Sequence, residues 1–68
     1  MLTLRIDFAN GGSGFHTAKT IQVSDNNCGF ILDGDWEERL VLCPGDVAYI
    51  MNSHGKTISV HSNTNTNK

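Results

Sequence analysis

The chain has 68 residues, with seven acidic and five basic side chains and a formal net charge of −2, which is one domain able to bury only about 60% of the surface its unfolded form exposes. Arg5, Lys19, Arg39, Lys56 and Lys68 are scattered instead of forming the basic stripe a nucleic-acid binder needs, and no apolar run approaches the roughly 18 residues of a membrane span. Two cysteines are too few for a disulfide framework, so so small a domain is expected to gain stability by associating with a copy of itself.

Met1 to Phe8 alternates without a break, with Leu2, Leu4, Ile6 and Phe8 on one face and Thr3, Arg5 and Asp7 on the other. That pattern predicts a strand with one buried side and differs from an export signal, so a reduced, cytoplasmic chain is expected. Asn10-Gly11-Gly12-Ser13-Gly14 follows as a flexible turn. Its amides at Gly12, Ser13 and Gly14 could contact a polar ligand, although no Lys-Ser/Thr pair follows to make a phosphate loop. His16 to Val23 reads as a second strand, at an edge because Lys and Thr are what edges carry.

Phe30-Ile31-Leu32 leads into Asp33-Gly34, a pair suited to a type I′ hairpin. In that register Ile31 pairs with Trp36 and shares a surface with Leu40 and Leu42, leaving Glu37, Arg39 and Val41 on the other side. Trp36 is then either a core or rim aromatic or an anchor for a partner. Cys43-Pro44-Gly45-Asp46 has proline and glycine at the central positions of a type II turn, suited to a corner between sheets. Pro-Gly-Asp followed by an apolar strand is similar to a turn of the cupins and related jelly rolls. The cupin histidine pair is absent, so the likeness is one of turn chemistry and implies no kinship.

A loop over Asn52 to Lys56, with a bulge at Gly55, predicts that Ile50 faces Ile58 and Ala48 faces Val60. On the other surface Met51, Tyr49 and Val47 then meet Thr57, Ser59 and His61. Residues 1–61 are expected to form a single small β domain and 62–68 a disordered polar tail.

His16, His54, His61, Cys28 and Cys43 lack the short spacings of metal-ligand pairs, so no metal and no cofactor is expected. Asp33, Asp35, Glu37 and Glu38 read as a solvated edge. No nucleophile, base and orienting group stand in a recognisable motif, so no catalytic residue is assigned and a small enzyme is the least supported reading.

The fold expected is all-β, a small antiparallel barrel or sandwich of about six strands with little or no helix. Its core comprises Leu2, Leu4, Ile6, Phe8, Ile21, Val23, Ile31, Leu40, Leu42, Ala48, Ile50, Ile58 and Val60. Val41, Val47, Tyr49 and Met51, with Cys43, are left as an outer apolar set, and a homo-oligomer built on them, most simply a dimer, would cover it. Function is expected to be non-catalytic binding: an oligomer that presents Trp36 and Tyr49 to a partner protein and regulates or inhibits it, as accessory proteins of phages and mobile elements do. The alternative is sequestration of a small molecule between subunits, with Tyr49, Ser59, His61 and the Gly11 to Gly14 amides giving polar contacts to a partly apolar pocket; Met51, with Tyr49, counts among the expected binding residues.

Overall fold

The computed structural model describes residues 1–24 and 26–63. Seven strands run in chain order: β1 Leu2–Asp7, β2 Ser13–Ala18, β3 Ile21–Ser24, β4 Gly29–Leu32, β5 Leu40–Val41, β6 Val47–Met51 and β7 Thr57–Ser62. They form two antiparallel sheets, one of four strands in the order β2-β1-β6-β7 and one of three in the order β3-β4-β5. The all-β expectation holds, and no helix is present among the described residues. Among the described residues no strand pairing joins the two sheets, and they do not form a closed barrel.

One apolar cluster takes residues from both sheets. Leu4 and Ile6 of β1, Ala48 and Ile50 of β6, Phe30 of β4 and Leu42 are buried together, and Ile21, Val23, Cys28, Leu32 and Leu40 pack against them. Alternation explains the choice on β1 and β6, where every second side chain turns inward. On β4, Phe30 and Ile31 are both fully buried although they point to opposite faces.

Four features depart from the sequence reading. First, the single strand expected over His16 to Val23 is two strands in different sheets, broken at Lys19-Thr20. The Asp33 carboxylate accepts hydrogen bonds from both of those amides, at 2.8 and 3.2 Å, and the Asp33 amide donates to Thr20 O at 2.9 Å. These bonds, made by a residue distant in the chain, turn the corner where no glycine or proline marks it.

Second, Asp33 and Gly34 do take positive φ, 54° and 76°, and Asp35 N donates to Leu32 O at 3.1 Å as the type I′ turn requires. The strand does not resume there. β4 pairs instead with Leu40–Val41, placing Phe30 opposite Leu40, so Phe30 and not Ile31 shares the inner face with Leu40, and Trp36 has no partner strand.

Third, the loop after β6 closes as expected, with Asn52 N donating to Lys56 O at 2.9 Å and Met51 opposite Thr57. A bulge then shifts the register, and Ile50 lies opposite Ser59, Tyr49 opposite Val60 and Ala48 opposite His61. One extra residue turns every following side chain over. Ile58 and Val60, expected in the core, are 55% and 57% exposed, while the His61 ring lies edge-on to buried Phe30 with centroids 5.5 Å apart. Fourth, Phe8 is 39% exposed, its ring lying over Gly12 and Gly14 at the rim of the core.

The sequence reading puts a polar tail at residues 62–68. Ser62 is the last residue of β7 and Asn63 is bonded to Asp46 and Gly45, while residues 64–68 lie outside the described residues.

Candidate functional site

The outer face of the four-stranded sheet carries large apolar side chains that are exposed in the single chain. The registers place Arg5 opposite Phe15 on β2 and opposite Tyr49 on β6, and Tyr49 opposite Val60 on β7. Phe15, Arg5, Tyr49 and Val60 therefore form a row across all four strands. The Arg5 guanidinium lies 5.5 Å from the centre of the Tyr49 ring, within reach of the ring's negative face. Arg5 is held there by Asp7, whose oxygens accept from Nε at 2.9 Å and from the second guanidinium nitrogen at 3.3 Å. Both partners are partly exposed, so this pair contributes little to stability and acts mainly to orient the side chain.

Phe15 is 64% exposed, and Ile58, at the register shift in β7, is 55% exposed. Met51 and Val47 flank Tyr49 on β6, all three half-buried. The same face also carries Thr3, Asp7, Ser13, Thr17 and Thr57, so the apolar row crosses a partly polar sheet face.

Other residues singled out from the sequence are distributed elsewhere. Val41 belongs to the smaller sheet, apart from Val47, Tyr49 and Met51. Ser59 and His61 point to the inner face, opposite to Tyr49 and Met51, and contact each other, Ser59 Oγ to His61 Nε2 at 2.5 Å. Trp36 is 55% exposed in the turn region between β4 and β5. The glycine loop uses its own polar groups: Gly11 N donates to Phe8 O at 3.0 Å and Gly12 N to the Asn10 side chain at 3.0 Å, while Ser13 Oγ donates to Asp7 at 3.2 Å. Gly14 lies against the Phe8 ring. The amides of Gly11 and Gly12 are therefore engaged within the loop instead of being offered to a ligand.

A shallow depression of about 260 Å³ lies between the Phe8–Asn10 segment and the Cys43–Asp46 turn. Its acid, Asp46, is 5% exposed, and its two oxygens accept from the amides of Ala9 at 2.9 Å and Cys43 at 3.0 Å. Those bonds make Asp46 a structural fastener between two distant segments. No group of three or more histidine, cysteine or acidic residues able to hold a metal occurs among the described residues, and no helix there is long and apolar enough to cross a membrane.

Of the residues in this row the sequence singles out Tyr49, and it does not group Phe15, Arg5 and Val60 with it. The signal for Phe15 was its isolation, a large apolar side chain in a Gly-Ser-His-Thr segment. The class defined by fold and surface is thus a small all-β chain of two open antiparallel sheets with an uncovered aromatic-aliphatic row. Comparison with family models, with curated proteins and with solved structures finds no match to this chain.

Proposed function

We propose that this chain is a non-catalytic binding protein that works as a homo-oligomer, its two sheets packed as a small sandwich, and regulates or inhibits a partner protein held on the outer face of the four-stranded sheet. The observation carrying this reading is the Phe15–Arg5–Tyr49–Val60 row, with Phe15 and Val60 more than half exposed. Burying the exposed part of such a side chain contributes on the order of 1 kcal/mol by area, and aromatic residues with an arginine between them are what interface centres are enriched in. An outer sheet face with exposed aromatic and aliphatic side chains suits a protein partner, whereas small molecules bind in concave sites. Tyr49 and Ser59 stand on opposite faces of the sheet, so a sequestering pocket made from both finds no support in the geometry.

A photo-activated cross-linker placed at Phe15 in living cells tests the proposal. The expected result is an adduct with one other protein, lost when Tyr49 is changed to glutamate in a chain that still melts cooperatively. Cross-linking to no other protein, or a retained small molecule in native mass spectrometry that Tyr49→Glu leaves bound, would overturn it.

A further inference from the structure

We infer that a second copy of this chain pairs edge to edge with the first through β7, antiparallel about a two-fold axis at Val60, so that two four-stranded sheets become one of eight. This rests on the homo-oligomeric reading above and names its geometry. β7 is an outer strand of its sheet, with β6 on one side and, among the described residues, no strand on the other. Asn63 N donates to Asp46 O at 3.2 Å, and hydrogen-bonded positions alternate along an antiparallel pair. His61 and Ser59 therefore turn their backbone groups toward β6, and Val60 and Ser62 turn theirs toward the open edge.

Natural sheets blunt such an edge with lysine, proline, short length or a bulge. β3 and β5 are four and two residues long, and β2 begins in glycine and serine and runs into Lys19. β7 is six residues long, contains Thr57, Ile58 and Val60, and holds no charged residue and no proline. Its bulge lies near its start, between the Met51 and Ile50 pairings, and leaves Ser59 to Ser62 in regular register.

A strand pairing with its own copy is complementary by symmetry. With Val60 opposite Val60 of the second copy, the two valine side chains, each 57% exposed in one chain, meet on the outer face. Ile58 then stands opposite Ser62 of the second copy. The row that ends at Val60 continues into its mirror sequence, Val60, Tyr49, Arg5, Phe15, and the partner-binding surface doubles in length. An extended segment of another protein could use the same backbone groups but would lack this apolar match.

The test is sedimentation velocity together with amide hydrogen exchange on the full chain. Val60→Pro removes only an edge-facing donor, a position where strands tolerate proline, and Val60→Lys keeps the backbone should the proline variant fail to fold. The expected result is a wild-type dimer in which Val60 and Ser62 amides are protected in proportion to dimer content. Either Val60 variant should weaken it by roughly tenfold or more, whereas Phe15→Glu at the opposite edge leaves it intact. A dimer that Phe15→Glu dissociates and the Val60 variants do not would overturn the edge geometry while keeping the oligomeric reading. A wild-type monomer at every concentration would overturn both. Protection of Val60 and Ser62 by a different polypeptide would overturn the second copy as occupant.

Discussion

Gly45 sits at φ +92°, and a Cβ added there would lie 2.8 Å from the Cβ of Ala9. Its backbone conformation is one that L side chains rarely adopt, and the space is already filled. Gly45→Ala is therefore expected to cost about 2 to 3 kcal/mol, read as a lowered urea midpoint with unchanged slope. Its neighbour Asp46 bonds the same two segments through its carboxylate. Asp46→Ala leaves the amides of Ala9 and Cys43 without an acceptor and should cost about 2 to 4 kcal/mol by the same measurement. Because both residues fasten one contact between Ala9 and the turn, the double variant should fall short of the sum of the two.

At the scale of elements, the bulge in β7 decides what the last strand shows to solvent. Ile58→Thr should change stability by less than about 0.5 kcal/mol, while Ile50→Ala, 6% exposed on the neighbouring strand, should cost about 2 to 4. Equal losses in the two variants, measured by chemical denaturation, would restore the unbulged register. β1 was readable from the sequence because alternation is a local property and Leu2 to Asp7 obeys it from end to end, and β6 because it is an apolar run bounded by two turns. The type II turn at Pro44-Gly45 and the type I′ turn at Asp33-Gly34 were readable for the same reason. The Lys19-Thr20 corner was not, since it is imposed by Asp33 from another part of the chain. Nor was the bulge, because Thr57 to His61 contains no residue that requires it, and its choice depends on His61 packing against Phe30.

Over the whole molecule, 4596 Å² of accessible surface encloses a core in which only eight hydrophobic side chains among the described residues are buried, so stability is expected to be small for one copy alone. If association adds to it, the melting temperature should rise with protein concentration over about a hundredfold range. A melting temperature indifferent to concentration in scanning calorimetry would count against any dimer linked to folding. The outer apolar set was legible as a surplus of greasy residues for so short a chain. Its membership was not, because deciding between Val41 and Val60 requires knowing which sheet each strand joins. The order β2-β1-β6-β7 has a further effect during synthesis, since Thr3 lies beside Met51. β1 is thus an interior ribbon that leaves the ribosome well before its neighbour β6 is translated. Until then the nascent β1–β2 hairpin carries a bare flank, and holding it apart from its fellows on a polysome falls to the cell's chaperones or to the speed of elongation.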